Sequence, residues 1–181
     1  MTTRVALWQE KEPMMEFVSI FGKARLATEE VLRDNGELTI NIPALPRPTL
    51  SELQAQFPWI RSIERDTSPE TPVTLTLVTV LKPGEKPIDG KEYERRLAPQ
   101  QDVLLGFQHR QWFLAHQDEY PALKALLGKV YYIDFPGIAV RDVGGFRVVP
   151  YCFQGGKRWD GDWSWLDAGF LGFGRVAVAR K

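Results

Sequence analysis

Residues 130–153 read VYYIDFPGIAVRDVGGFRVVPYCF, and this stretch decides the fold class of the chain. Apolar and β-branched residues recur in it with a period of two, which is typical of β-strands. Pro136-Gly137 and Gly144-Gly145 interrupt the runs with dipeptides that form turns readily. We therefore predict strands at Val130–Asp134, Ile138–Asp142 and Phe146–Phe153, with a hairpin between the last two.

Further strands are predicted on both sides of this stretch. Val73–Leu81, VTLTLVTVL, is dominated by β-branched residues and predicts a central or nearly central strand. Arg175–Ala179 predicts a terminal strand, and the alternation of Leu38, Ile40 and Ile42 predicts a half-buried one. The order is β-rich, then helical, then β-rich, without β-α-β alternation. It predicts an α+β fold in which a largely antiparallel sheet packs against one main helix and short helices.

The helical part of the sequence predicts one long helix and two short ones. Apolar residues lie on nearly all sides of Gln100–Gln117, so this main helix is expected to be largely buried. A capping box formed by Thr49 and Glu52 predicts a short helix ahead of the main one, and residues 121–127 predict another behind it. The charged stretch 82–91 is expected to be an exposed turn, with a mobile flap as the alternative.

The N-terminal part of the chain admits more than one interpretation. Met14–Phe21 has the alternation of a strand, and residues 28–36 fit either a capped helix or a strand entering an Asn-Gly hairpin, which we favour. Pro43–Pro48 contains the PxxP spacing of polyproline ligands, but a stiff connector is the preferred interpretation. We predict one domain over residues 1–181, with a polar loop at 62–72 as the candidate boundary of an N-terminal subregion, 1–66.

Composition limits the classes of partner. Basic and acidic residues number 23 each, so the net charge is zero and no nucleic-acid partner is expected. A zero balance gives little repulsion between copies and favours self-association as a homodimer or larger assembly. No stretch approaches the roughly 18 apolar residues of a membrane span. Cys152 is the only cysteine and no signal-peptide pattern is visible, so we expect a cytoplasmic protein.

A mixed aromatic and polar band on the main helix is the first candidate site. It consists of Gln108, His109, Trp112 and His116, of which the last three have the i,i+3 and i,i+4 spacings of contacting helix neighbours. A cationic histidine over an indole face would be stabilised by cation–π attraction. Packing inside the core, with one or two hydrogen-bonded histidines, is the favoured interpretation of the band taken alone, and a small-molecule pocket and a subunit interface are the alternatives.

The segment GGKRWDGDWSWLDAGFLGFG, residues 155–174, is the second candidate site. Asp160-Gly161 predicts a type I′ hairpin turn, which would pair Arg158 with Trp163. Trp163 and Trp165 would then share one face and Trp159 would lie on the other. The carboxylates lack calcium-loop spacing, and the glycines match neither the P-loop nor the dinucleotide motif.

Metal and nucleophile motifs are missing from the sequence. His109 and His116 are seven residues apart, about 10 Å along a helix, which is too far for one metal to bind both easily. We therefore predict no metal site and no cofactor. Cys152 lies within an expected strand, where a structural thiol is favoured over a catalytic one.

The leading hypothesis for function is a soluble, non-catalytic small-molecule-binding protein. Its ligand would lie between the main helix and the tryptophan-rich sheet, in contact with Gln108, His109, Trp112, His116, Arg158, Trp163 and Trp165. One alternative is a hydrolase- or isomerase-like enzyme with a histidine general base, helped by Asp102 or Asp162. The other is a homo-oligomeric structural or regulatory protein that uses the aromatic patch as its interface.

Overall fold

The computed structural model describes residues 40–82 and 84–180. Four α-helices and one 3-10 helix lie in these ranges: α1 Leu50–Gln56, α2 Gly90–Leu97, the 3-10 helix Ala98–Val103, α3 Phe107–His116 and α4 Pro121–Ala125. The strands are β1 Ile40–Ile42, β2 Ile60–Asp66, β3 Val73–Val78, β4 Tyr132–Asp134, β5 Ile138–Asp142, β6 Arg147–Gly155, β7 Arg158–Trp165 and β8 Gly174–Ala179. The predicted interpretations of residues 1–36, and the position of Leu38, lie outside the described residues.

The strands form one eight-stranded sheet in the order β1-β3-β8-β4-β6-β5-β2, with β7 paired to β6. Every pairing is antiparallel except that of β4 with β8. The mostly antiparallel sheet with its four helices confirms the predicted α+β class. No helix in the described part of the chain is long and apolar enough to cross a membrane.

The quoted stretch 130–153 forms the middle of this sheet. β4 and β5 both pair with β6, through Ile133↔Cys152 and Val140↔Val148 respectively. The turn at Pro136-Gly137 therefore shifts the chain along β6 and does not reverse it. The predicted hairpin between β5 and β6 is confirmed, since Gly145 takes a positive φ of 84° and its N–H bonds Asp142 O at 3.0 Å.

Both faces of the sheet are covered. On the α3 side, buried side chains of the sheet pack with Phe113 and Leu105 in one cluster, which contains Ile133, Cys152, Trp159 and Ala177. On the α2 side, Tyr93 and Leu97 pack in a second cluster, with Val149, Phe170 and Val176. A third cluster joins α1 to β2 and β5, through Leu53, Ile60 and Val140.

The predicted main helix Gln100–Gln117 is wrong in its first half. Residues 98–103 form a 3-10 helix, and α3 begins only at Phe107. Between them the chain runs beside β8, where Leu104 bridges Val178 and the Leu105 N–H bonds Ala177 O at 3.1 Å. Backbone pairing with a strand requires an extended conformation, so the helix cannot continue through this point.

Other predictions on element bounds also need correction, and one of them is the strand predicted over Val130–Asp134, which begins only at Tyr132. The strand predicted over Val73–Leu81 ends at Val78, and Gly90–Leu97, partly assigned to a turn, is a helix whose first turn is capped by Asp89. The polar loop predicted at 62–72 is strand for its first part, because β2 pairs with β5 as far as Asp66↔Ile138. Polar residues fit this strand because Glu64 and Arg65 form ion pairs with Arg141, Arg147 and Glu94.

Local signals in the N-terminal half of the described chain are confirmed. Thr49 and Glu52 form the complete capping box, with the Glu52 N–H donating to Thr49 Oγ1 at 3.3 Å and the Thr49 N–H donating to Glu52 Oε2 at 2.7 Å. Ile40 and Ile42 are buried in β1, as alternation predicts.

Candidate functional site

The outer edge of β7 lies against α3 and the residues that follow it. The Trp159 N–H donates to Gln117 Oε1 at 2.7 Å, and Gln117 Nε2 donates to Trp159 O at 3.1 Å. The Trp159 indole Nε1 donates to Leu123 O at 3.0 Å, and its side chain is buried. Gln117 thus provides the contacts that a neighbouring strand would make, and Trp159 is fixed in the core.

Gly161 permits close contact between α3 and β7. A Cβ at this position would lie 2.6 Å from Leu114 Cδ1 and 3.5 Å from Arg110 Cζ. The strand runs straight through Asp160-Gly161, and the turn lies instead at Gly156, which has a φ of 73°. The predicted Asp-Gly hairpin is therefore wrong, because this glycine serves helix packing rather than a turn.

This change of register reverses part of the predicted side-chain arrangement. Alternation along β7 places Trp159, Trp163 and Trp165 on one face, so the prediction that Trp159 lies on the opposite face is wrong. Trp163 and Trp165 do share a face, as predicted. Arg158 pairs with Gly155 and lies five residues from Trp163, about 17 Å along the strand. The predicted Arg158–Trp163 contact is therefore absent.

Arg110 is the most unusual charged residue at the α3–β7 junction. Its side chain projects toward β7 and is 2% exposed. Nη1 donates to Asp162 O at 2.7 Å, and Nη2 reaches Gln111 Oε1 at 3.4 Å. The guanidinium carbon lies 4.7 Å from the ring centroid of Phe107 and 5.5 Å from that of Trp163.

The charge of Arg110 has no carboxylate partner among the described residues. Its hydrogen-bond acceptors are an amide oxygen and a backbone carbonyl, and Nε is buried without any acceptor. Burial lowers the pKa of Arg110 to about 10, with the nearby Asp162 acting in the opposite direction. The group still carries its charge at neutral pH. Arginine is seldom this buried without an ionic partner, because desolvation of the cation is costly.

Phe107 and Trp163, the two rings in contact with this guanidinium, pack with two more aromatic residues. Phe107 and Trp163 are stacked at 5.6 Å and 16°, while Phe57 and Trp59 meet Trp163 edge-on at 5.5 Å and 5.7 Å. Trp163 Nε1 is a second buried donor without an acceptor. We call Arg110 with these four aromatic residues the Arg110 site.

A weak polar contact closes the rim of the Arg110 site. Gln111 Nε2 donates to Gln56 Oε1 at 3.3 Å in an exposed position. Gln111 also touches Arg110, and Gln56 directly precedes Phe57, so this pair joins α3 to the end of α1 at the border of the site. A long, exposed hydrogen bond of this kind is easily exchanged for water.

The residues of the predicted helix band are distributed over several environments. Trp112 and His116 stack at 4.3 Å and 13°, and Tyr120 flanks Trp112 at 5.6 Å. His116 Nδ1 lies 2.8 Å from Trp112 O. His109 is fully buried, and its Nδ1 accepts from the Gly106 N–H at 3.2 Å. Burial lowers the pKa of His109 to about 4, so it is neutral at physiological pH.

Gln108 belongs to a separate buried polar cluster at the start of α3. Its Nε2 donates to Ser68 Oγ at 2.9 Å, and Ser68 in turn donates through Oγ to Asp66 Oδ1. Arg47 Nε donates to Ser68 O at 2.7 Å. Burial raises the pKa of Asp66, despite its hydrogen bonds to Ser68. These contacts connect the segment that follows β2 to the start of α3.

Of the seven predicted ligand residues, the structure places Trp163 alone in the Arg110 site. Trp112 and His116 form their own stack, Gln108 and His109 point into other contacts, and Arg158 and Trp165 lie at opposite ends of β7. Sequence reasoning missed Arg110. The available signal was an arginine three residues after Phe107, on a helix whose surroundings are otherwise apolar.

A buried carboxyl on the α2 side of the sheet was also missed. Asp134 is 2% exposed, and its Oδ2 accepts from Tyr93 Oη at 3.0 Å, while Oδ1 is buried without a donor. Burial raises the pKa of Asp134 to about 7, which the Tyr93 hydrogen bond only partly offsets. Tyr93 stacks on Phe170 at 3.7 Å, so this carboxyl is enclosed by aromatic packing.

Neither a metal centre nor a known relative defines this site. Within residues 40–82 and 84–180, no three side chains of histidine, cysteine, aspartate or glutamate are grouped to hold a metal ion. Comparison with protein-family models, with curated proteins and with solved structures finds no match to the chain.

Proposed function

We propose that this protein binds a small molecule at the Arg110 site, between α3 and β7. The observation that carries the proposal is a buried guanidinium with no carboxylate partner in the described chain, in contact with the rings of Phe107 and Trp163. Apolar side chains with a few polar groups that fix the orientation of the ligand are the usual lining of a ligand site. The location agrees with the predicted position between the main helix and the tryptophan-rich sheet, although most of the ligand residues differ.

The cost of burying Arg110 supports a binding role. Buried charges without partners destabilise a fold, and apolar replacements of comparable volume are often neutral or stabilising. A ligand that completes the contacts of the guanidinium would compensate for this cost only when bound. A purely structural site would be served equally well by methionine.

The test is a fragment screen read at the indole N–H resonances of the protein. A Trp163→Phe variant assigns the Trp163 signal, and Arg110→Met removes the charge while keeping an unbranched side chain. We expect some fragments to move the Trp163 signal in the wild type, with at least tenfold weaker binding in Arg110→Met and no change in Arg158→Met, where the arginine is exposed. If every binding fragment leaves the Trp163 signal unmoved, the proposal is wrong.

Self-association is a second candidate, favoured by a separate observation. Val143, Phe146 and Trp165 are 69%, 57% and 60% exposed and lie at one end of the sheet. Trp165 pairs with Val148, two residues from Phe146 on the same face, so the two exposed rings are diagonal neighbours. Zero net charge adds little repulsion between copies.

Light scattering after size-exclusion chromatography tests this second candidate. We expect the wild type to show a concentration-dependent mass and the Phe146→Ser, Trp165→Ser double variant to remain a monomer. A wild type that is monomeric at millimolar concentration would remove the candidate.

The enzyme hypothesis receives no support from the two histidines. Neither imidazole has a carboxylate among its hydrogen-bond partners in the described residues, and His109 is fully buried.

A further inference from the structure

Resting on the proposed function, we infer that the Arg110 site takes a planar aromatic carboxylate. Two buried hydrogen-bond donors, Arg110 Nε and Trp163 Nε1, have no acceptor. The guanidinium carbon lies 5.5 Å from the Trp163 ring centroid, so the two donors belong to one small region. A ligand that satisfies both must supply acceptor oxygens, and one that neutralises the cation must supply a negative charge.

A carboxylate fits this pair of donors better than a phosphate. The site offers a single cation and an indole N–H, surrounded by hydrocarbon rings. A phosphate carries up to two charges and three acceptor oxygens, which normally require several cations or backbone donors. One carboxylate matches one guanidinium in charge, and its second oxygen is available to the indole.

The aromatic residues of the site favour a flat aromatic ligand body. Phe57 meets Phe107 at 5.8 Å and 90°, and Trp59 meets Trp163 at 5.7 Å and 90°. Rings in this arrangement present both faces and edges, which favour another flat ring through offset or edge-on contacts. An aliphatic acid would lose these specific contacts, and an aromatic amine would place a second cation beside Arg110.

Entry of the ligand requires the site to open, because Arg110 Nε and Trp163 Nε1 are not accessible to solvent in the closed site. The Gln56–Gln111 hydrogen bond at 3.3 Å lies at the rim, and Gln111 also contacts the guanidinium. Releasing Gln111 would free Nη2 as well as the rim, while Nη1 would keep its bond to Asp162 O. The site therefore exchanges a weak amide contact for a charge-assisted one when a carboxylate binds.

The experiment compares isosteric pairs that differ only in charge: benzoate with benzamide, and 2-naphthoate with 2-naphthamide. Titration calorimetry gives the affinities, and the Trp163 indole resonance reports the location. In the wild type we expect at least one acid to bind about tenfold or more tightly than its amide. This ratio should fall to about one in Arg110→Met and persist in the control Arg158→Met.

The outcomes separate this inference from the proposed function. If amides bind as tightly as acids and move the Trp163 signal, the carboxylate is wrong while a small-molecule site stands. If neither pair binds but other fragments move that signal, the ligand class is again wrong. If no compound moves it, both the inference and the function fail. Arg110→Met should keep the melting temperature of the wild type, which shows that a lost preference is not a lost fold.

Discussion

Replacing Asp134 with asparagine should change how the stability of the protein depends on pH. Burial raises the pKa of this carboxyl from 3.8 to about 7, so the folded protein keeps its proton across a range in which the unfolded chain releases it. Stability from this group is therefore complete below pH 4 and falls as the pH rises toward 7. Asparagine imitates the protonated acid at every pH, and Tyr93 can still donate to its oxygen.

The magnitude follows from the displacement of the pKa. A tenfold change in an acid constant corresponds to about 1.4 kcal/mol, so a move from 3.8 to about 7 corresponds to a cost on the order of 4 kcal/mol for the ionised native state. The amide of asparagine adds its own desolvation cost, but that cost is the same at every pH. The free energy of unfolding of Asp134→Asn is therefore compared with that of the wild type at each pH. The quantity of interest is how much this difference changes between pH 4.5 and pH 8.5.

Urea denaturation at these two pH values measures this quantity. We expect Asp134→Asn to gain on the order of 3–4 kcal/mol relative to the wild type on going from acid to alkaline conditions. The matched control is Asp167→Asn, which makes the same chemical change at an exposed position. A mutant–wild-type difference that changes by less than about 1 kcal/mol would refute the argument, because a carboxyl with an ordinary pKa predicts that result.

His109 should contribute a pH dependence of stability opposite to that of Asp134. Burial lowers its pKa from 6.5 to about 4, so the unfolded chain binds a proton that the folded protein excludes. Stability from this group is complete above pH 6.5 and falls as the pH drops toward 4. The contributions of Asp134 and His109 oppose each other in that window. In the wild type, the stability gained by Asp134 on acidification largely cancels the stability lost by His109. Asp134→Asn lacks the first contribution, so it should lose stability on acidification.

Three further substitutions test the packing described above. Gly90→Ala should cost about 2 kcal/mol or more in urea denaturation, because a Cβ there would lie 1.4 Å from a backbone carbonyl oxygen, whereas Gly169→Ala, with its nearest neighbour at 4.0 Å, should cost much less. Thr49→Ala should cost about 1 kcal/mol by removing the cap of α1, and an unchanged midpoint would contradict the capping role. Gln117→Ala should cost roughly 2–4 kcal/mol by leaving both backbone groups of Trp159 unpaired, with Gln117→Glu as a variant that keeps one contact.

The strands could be predicted from the sequence where local pattern and tertiary environment agree. Ile138–Asp142 has exactly the predicted bounds, and β6 and β8 differ from prediction by one or two residues at an end. These strands have apolar side chains on the faces that the sheet buries, so period-two alternation survives in the sequence. The capping box at Thr49 succeeded for the related reason that its contacts are entirely local.

Predictions failed where the conformation of a residue depends on contacts with a distant part of the chain. Asp160-Gly161 has the composition of a hairpin turn, but Gly161 is required by the side chain of Leu114, which lies about 50 residues earlier in the sequence. Leu104 and Leu105 fit a helix by periodicity, yet their backbone groups pair with β8 near the C-terminus. Neither requirement is visible in a local window, because the partner segment is not adjacent to it.

The candidate site was the least predictable part of the structure, because Arg110 is unusual in having no carboxylate partner among the described residues. An arginine on a helix normally faces solvent or an acid, and sequence alone does not reveal that Arg110 does neither. His109 and Asp134 were equally hidden, but each can become neutral at a moderate pH, so the cost of burying them is limited by a change of protonation. Arg110 remains charged at neutral pH, with a pKa lowered only to about 10. Of these three buried groups, it is therefore the one that keeps its charge inside the fold at neutral pH, and this is why the proposed ligand is an anion.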